Sequence, residues 1–269
     1  MDDKDLKRLQ KMQLDNLMNI YRFCKEHNIK FYLGEGTLLG AIRHNGFIPW
    51  DDDIDILMIK EDYERFLELA PNNLGSNYKV QHSTLIDNYW SPFIKIRYIG
   101  ETNFKQQHID HLTDDNGPCV DVFPLYYVED KTNFKVKYSS LKIRILRRTL
   151  SLKLGLNRKI SVRNIIMRLF GYFISVNTIH RLLINTFNQN NKGDYLANFG
   201  SYYKISTQVF PKEYYGEGRL IRFEDQKLPI PIKAEEILTS IYGDYMELPP
   251  EDKRIIKHHY DVDFTNNSH

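Results

Sequence analysis

Several things are scarce in this 269-residue chain, and each scarcity removes a class of explanation. Cysteine occurs twice, at Cys24 and Cys119. Two thiols so far apart cannot form a zinc cluster unaided, so free buried thiols in a reducing compartment are expected. The longest apolar runs are interrupted by arginines such as Arg168 and fall short of the roughly 18 residues that a spanning helix needs, so no segment is expected to cross a bilayer. The opening MDDKDLKRLQKMQLDNLMNIYRFCKEHNI mixes charges of both signs and has no signal-peptide-like apolar core, which makes a cytoplasmic location the expectation. Neither an internal repeat nor a low-complexity tract is visible.

Acidic residues are missing from one long stretch. From Lys131 to Lys192 there are 14 Lys and Arg and no Asp or Glu. The total is 37 basic and 35 acidic residues, so 23 basic face 35 acidic in the remainder and the net +2 hides an electrically divided chain. Basic residues mixed with Leu, Ile and Phe suggest helices lying on an anionic surface, against the plainer reading of a solvated basic face. Nucleic acid is a competing anion, but no recognised binding signature is present and the near-neutral total argues against it, so none is expected as a partner.

What is present is enough to fold. Hydrophobic residues make up 42% and aromatics 13%, which excludes a disordered chain. Three-to-four-residue apolar spacing predicts a helix over 4–26. Strands are expected at Phe31-Tyr32-Leu33, 54–59, 78–82, 91–99 and 119–127. Further helices are expected over an LLGAIRH segment N-capped by Thr37, from Glu61 to a stop at Pro71, at 134–151 and at 161–187. Mixed strands with flanking helices define an α+β fold. The segment from Pro211 to Tyr260, rich in Pro, Gly and Tyr, is expected to wrap around the first part.

The stretch GFIPWDDDIDILM places four aspartates in five positions just before an apolar strand. On an extended chain Asp53 and Asp55 point to one side while Ile54 and Ile56 point to the other. Paired carboxylates beside a strand repel, and desolvation adds to the cost, so a positive partner is required. A divalent cation serves best, and oxygen-only ligands select Mg²⁺ or Mn²⁺. An EF-hand calcium loop beginning at Asp51 fails at its sixth position, where Ile56 stands in place of glycine. A solvated turn accounts for Asp51 and Asp52 but not for Asp53 and Asp55.

Upstream, two glycines flank Glu35 and are followed by Thr37 at a helix start, sixteen residues ahead of Asp53. Backbone N–H groups and a hydroxyl at that place favour an anion, which makes Gly36 and Thr37 a phosphate seat. A third acid, Asp121, lies between Val120 and Val122 in a short strand, where an acid is costly unless it serves a partner. Beside Asp53 and Asp55 it would complete a three-carboxylate metal set; facing water at a sheet edge it would not. His108 and His111, near Asp110, Asp114 and Asp115, form an HxxH that reads better as a polar loop than as a second metal site.

Gly36-Thr37, Asp53-Ile54-Asp55-Ile56 and Val120-Asp121-Val122 resemble, in order, the three elements of nucleotidyltransferases related to DNA polymerase β. More narrowly, GTLLGAIRHNGFIPWDDDIDILM is similar to the signature of the LicD family of bacterial phosphocholine transferases, distantly related to fukutin and fukutin-related protein. The likeness continues in VDVFPL, FPKEYYGEGRLIRFEDQKLPIPI and YGDYMELPPEDKR, covering about residues 20–260. The family usually carries a glycine or small residue where this chain has Glu35, and the basic middle aligns least.

The resemblance implies a polymerase-β-like fold with a mixed sheet and an added basic helical region. It divides the chain into a catalytic core at 1–130, a basic helical insertion at 131–192 offering a membrane or acceptor surface, and a C-terminal region at 193–269 that completes the site. It implies transfer of phosphocholine from CDP-choline, or of another alcohol phosphate such as ribitol phosphate from a similar donor. The acceptor would be a sugar hydroxyl of a lipid-linked glycan precursor of teichoic acid or lipopolysaccharide type, with release of CMP at the inner face of the membrane. Attachment of a nucleotide to a small acceptor, and a non-enzymatic anionic-surface module, are the rival readings. In the transferase reading Asp53, Asp55 and Asp121 hold the metal, with Asp121 as ligand or general base. Arg43 and His44 are expected to reach phosphate or cytidine, and Lys95 and Arg97, on one face of a strand, to add positive charge to the cleft.

Overall fold

The computed structural model describes residues 2–89, 91–99, 103–106, 117–130, 133–156, 161–188, 192–256 and 260–263, with backbone alone at 103–106, 170 and 260–263. Leu6, Leu9, Leu14, Leu17, Ile20 and Cys24 form the buried stripe of α1 (Asp3–Glu26), which Asp2 caps by accepting the Asp5 N–H. The chain then runs through β1 (Tyr32–Leu33), α2 (Glu35–His44), β2 (Ile54–Ile59), α3 (Lys60–Asn73), β3 (Tyr78–Gln81), β4 (Ile94–Tyr98), β5 (Asn103–Gln106) and β6 (Cys119–Val128). Three helices follow, α4 (Phe134–Lys153), α5 (Val162–Tyr172) and α6 (Val176–Asn188). The last part contains β7 (Tyr195–Ala197), β8 (Val209–Pro211), β9 (Arg219–Phe223), β10 (Gln226–Ile230), α7 (Ala234–Tyr242) and β11 (Tyr260–Asp263).

The fold is α+β, as expected. Its main sheet has the order β1-β2-β6-β4-β3, with β7 added to the far half of β6 and β8 added to β7. β2 and β6 run parallel and the other pairs antiparallel. Ile54, Ile56, Val120 and Val122 are fully buried, so the two central strands are anchored by their apolar faces.

Three local expectations are corrected. Gly34, not Thr37, caps α2, which starts at Glu35. Pro71 sits inside the last turn of α3 rather than ending it; its missing N–H forfeits one i→i−4 bond, but the helix continues past it and Leu74 donates to Ala70 O. The helix expected over 161–187 is two, because Ser175 supplies a new N-cap by accepting the Thr178 N–H.

One core contains α1, the central strands and the C-terminal residues Tyr215, Phe223, Leu228, Ile230 and Leu238. The β9–β10 hairpin docks on the end of α2: Glu224 N–H donates to Asn45 O, and the Glu224 carboxylate accepts the Phe47 N–H. A second core joins α4 and α6 to Tyr126, Val128, Ala197 and Phe199. Among the described residues no helix is long and apolar enough to cross a membrane. The HxxH lies outside the described residues.

Candidate active site

Asp55 and Asp121 are direct partners in the parallel register of β2 and β6. Side chains at such positions leave the sheet on the same face, one strand spacing of about 4.8 Å apart. Asp53 precedes β2 by one residue and shares that face. The start of α2 is stitched to the same point, since Thr37 Oγ1 accepts the Asp55 N–H at 2.8 Å and Gly34 N–H donates to Asp55 O at 3.0 Å. The buried Thr37 therefore positions β2 as well as offering a hydroxyl at the helix start. A side chain at Gly36 would meet Asp51 Oδ2 at 2.9 Å, so glycine is what lets this carboxylate approach the positive end of α2.

The acidic loop is not a solvated turn, which corrects the expectation for Asp51 and Asp52: they are 8% and 0% exposed. Two amides of α1 hold the loop from behind, Gln10 Nε2 donating to Asp51 O and Gln13 Nε2 to Asp52 O, each at 2.8 Å. Carboxylate oxygens of Asp51, Asp52 and Asp53 lie within 4.8 Å of one another. Asp53, the outermost, belongs to this triangle and also acts on Asp55, whose carboxyl its charge raises.

So much like charge in one place is visible in the protonation of Asp55. Burial, then Asp53, Asp121, Glu35 and Asp51, push its carboxyl well above the usual range. Lys95 lies opposite Asp121 in the antiparallel register of β4 and β6 and meets both of its oxygens, at 2.5 and 2.6 Å. Burial works to lower the Lys95 ammonium, but Asp121 and Cys119 outweigh it and leave it raised. One ammonium does not balance four or five acids. The set offers hard oxygen donors and surplus negative charge, which fits a hard divalent cation.

The cations expected around the site are placed differently. Lys95 is committed to Asp121. Arg97 is fully buried, with Nε donating to Gln81 Oε1 and Nη1 to Gly117 O, so it is a core cation rather than one lining an open cleft. Arg43 donates to the carbonyls of Tyr245 and Glu247 and to His44 Nε2, and thereby ties the C-terminal segment to α2. His44 packs edge-on against Trp50, the residue before Asp51, and burial followed by Arg43 lowers its pKa.

Residues that the sequence pattern does not assign complete the surroundings. Glu35 adopts φ 46°, a left-handed backbone costing a non-glycine residue about 1–2 kcal/mol, at the position where the resembled family carries a small residue. Its carboxylate accepts Asn198 Nδ2 at 2.8 Å. Burial raises its pKa to about 7 against the lowering effect of hydrogen bonds with Ser201, Asn198 and Gln208. An acid between two glycines at a helix start was the available signal; Asn198, far along the chain, gave none. Burial, then Glu35, Tyr203 and Asp55, raise the Tyr242 phenol, which packs edge-on to Tyr203 at 5.3 Å.

A cleft of about 890 Å³ opens between α4, α5 and the loop 198–206. Lys137, Arg144, Arg147, Arg148, Arg163 and Lys204 contribute to its walls, together with Tyr202 and Tyr203. Arg147 is fixed there, donating to Gly200 O at 2.8 Å and covering the Tyr202 ring at 4.8 Å. Asn198, which donates to Glu35, lines the same cleft.

Residues 28–144 match the LicD/FKTN/FKRP nucleotidyltransferase domain. Over 267 residues, 92% of this chain and 93% of the other, the sequence is 28% identical to the lipopolysaccharide cholinephosphotransferase LicD of Haemophilus influenzae. Shorter matches reach 36% identity over 69 residues of an uncharacterised Rickettsia typhi protein, 26% of this chain and 22% of that one, and 37% over 66 residues of one from Rickettsia prowazekii, 24% and 25%.

Proposed function

We propose that the chain, whose residues 28–144 match the LicD/FKTN/FKRP nucleotidyltransferase domain, is a phosphotransferase moving phosphocholine from CDP-choline to a sugar hydroxyl of a glycan. The observation that carries this reading is the in-register pair Asp55–Asp121 at the start of α2, with Asp53 on the same face. That arrangement suits a diphosphate: carboxylates on one side, and helix N–H groups with the Thr37 hydroxyl on the other.

Asp53, Asp55 and Asp121 would hold Mg²⁺. Bound there, the ion would neutralise charge on the diphosphate oxygens as CMP departs. The acceptor oxygen forms its bond to the choline-bearing phosphorus, the bond from that phosphorus to the bridging oxygen breaks, and CMP leaves with the electron pair. The hydroxyl proton passes to the carboxylate set. Of the two roles left open for Asp121, ligand suits it better than base, because Lys95 already donates to both oxygens and the lone pairs left over can still face an ion. Glu35, with a pKa of about 7, is a group able to take up a proton at neutral pH.

Choline carries a quaternary ammonium that aromatic faces hold best. Tyr203 and Tyr242, beside the acids, are the pair we assign to it. The basic cleft adjoining Asn198 is suited to an anionic glycan acceptor. The test is incubation with CDP-choline, Mg²⁺ and a lipid-linked glycan acceptor. CMP release with phosphocholine on the glycan supports the reading; pyrophosphate release from CTP, with CDP-choline left intact, replaces it with nucleotide transfer.

A further inference from the structure

Two helices in the basic segment bury opposite kinds of face. α6 follows the ordinary rule, hiding Val176, Ile179, Leu183 and Phe187 and leaving polar residues such as Asn177 and Arg181 outside. α5 inverts it. The residues of α5 turned toward α4 are Asn164, Met167 and Gly171: Asn164 Oδ1 accepts both Nε and Nη2 of Arg148, and Gly171 lies against the Thr149 side chain. Its outward side carries Val162, Ile165, Ile166, Leu169 and Tyr172, continued by Phe173 at the C-cap, with exposures running from 48% at Ile165 to 86% at Phe173.

At about 100° per residue the outward apolar set and the inward set of Asn164, Met167 and Gly171 lie on opposite sides of the helix axis, and Arg163 and Arg168 fall on the two flanks between them. Both arginines are exposed. An apolar stripe bordered by cations whose stems can lie along it is the layout of a helix resting in a lipid interface, charges at headgroup depth and side chains below.

We propose that α5 lies in the plane of an anionic bilayer and seats the protein on it. Charge complementarity selects this occupant: the segment from Lys131 to Lys192 has 14 basic residues and no acidic one, which suits anionic headgroups. α5 also forms one wall of the basic cleft through Arg163 and Met167. A substrate anchored in the bilayer would therefore enter beside the helix that docks there; this last clause rests on the transferase reading, and the docking itself does not.

The test uses the full chain and vesicles of phosphatidylglycerol with phosphatidylethanolamine, against vesicles of phosphatidylcholine. The protein is expected to sediment with the anionic vesicles and to partition about tenfold or more less onto the neutral ones. The double variant Leu169→Glu with Phe173→Glu is expected to lose about tenfold or more of the anionic partition with an unchanged urea unfolding transition. Tyr172→Trp places an indole on the face, and its emission shifts to the blue when anionic vesicles are added. Equal sedimentation of parent and double variant, equal partition onto both vesicle types, or an unmoved emission overturns the proposal. Light scattering that finds the parent dimeric and the double variant monomeric overturns it too, because a second copy then covers the face. No outcome depends on transferase activity, so failure here and failure of the catalytic reading are separable.

Discussion

Lys95 Nζ lies 2.5 and 2.6 Å from the two carboxylate oxygens of Asp121, across directly opposed positions of β4 and β6. Their side chains are 8% and 15% exposed. Removing one partner of so enclosed a pair leaves a charge without its counterion, beside an acidic cluster that repels it. Lys95→Met is expected to destabilise the protein by about 2–3 kcal/mol. Asp121→Asn added to it should restore most of that stability and no CMP release. Urea unfolding measures the first effect and CMP release the second; a double variant as unstable as the single one would refute the pairing argument.

Asp55 is a conflict between folding and function. Its carboxyl is held above the ordinary 3.8 by burial and by four acidic neighbours. A carboxyl raised in the fold contributes stability below its unfolded pKa and loses that contribution as pH rises through the folded value. Without divalent ions, Asp55→Asn should therefore be the more stable protein at pH 8, with the difference closing toward pH 4. On the proposed metal assignment Mg²⁺ should raise the melting temperature of the parent, and the same substitution should abolish that rise and lower CMP release by about 100-fold or more. A variant that is less stable at pH 8, or still stabilised by Mg²⁺, contradicts the assignment.

The parts of this site that were legible in the sequence were those where local pattern and role coincide. Asp53 and Asp55 alternate with isoleucines that face the core, and Asp121 sits between valines, so strand periodicity sets the polar side of each strand, while the pairing of β2 with β6 is what makes the side of Asp55 and Asp121 a common one. The partners of the cations were not legible, because a strand pattern gives a face but not a partner. Lys95 and Arg97 do share a face, yet Asp121 takes the first, while Gln81 and Gly117 take the second. Asp51 and Asp52 passed for a solvated turn because the two α1 glutamines that bury them lie some forty residues away. Glu35 and Asn198 are 163 positions apart and meet only once the C-terminal region closes over the sheet.

His82 gives the fold an acid-sensitive point away from the carboxylates. Burial, then His180, lowers its imidazole to about 4, so it is neutral in the folded protein. Its Nδ1 lies 2.8 Å from the Thr84 hydroxyl and accepts the Thr84 N–H, and the Tyr63 ring packs edge-on against it. A group depressed in the fold contributes stability above its unfolded value of 6.5 and loses it as pH falls toward the folded value. The parent should lose on the order of 3 kcal/mol between those limits, at about 1.4 kcal/mol per unit. His82→Asn, which keeps an acceptor for the Thr84 N–H, should flatten that slope. Chemical unfolding at intervals from pH 7 to 4 checks it, and parallel slopes in the two proteins would assign the acid sensitivity elsewhere.

The assignment of choline to Tyr203 and Tyr242 makes a claim about one substrate group. The rings meet edge to face at 5.3 Å, and burial, then Glu35 and, last, Asp55 raise the Tyr242 phenol. A quaternary ammonium has no N–H to donate, so what distinguishes CDP-choline from CDP at this place is the attraction of a cation to ring faces, worth about 0.5–2 kcal/mol. Tyr203→Leu retains apolar bulk and removes the ring, so it should raise the KM for CDP-choline by roughly two- to thirtyfold on that range while leaving the affinity for CDP as it was. Tyr242→Phe keeps the ring and should change the KM for CDP-choline little, which separates the π-face from the hydroxyl. If Tyr203→Leu weakens CDP and CDP-choline equally, the ring supports the cleft wall and the cation is held by other residues. The acids beside Tyr242 would then be the place to look, because an ammonium that no aromatic face receives is best stabilised next to fixed negative charge.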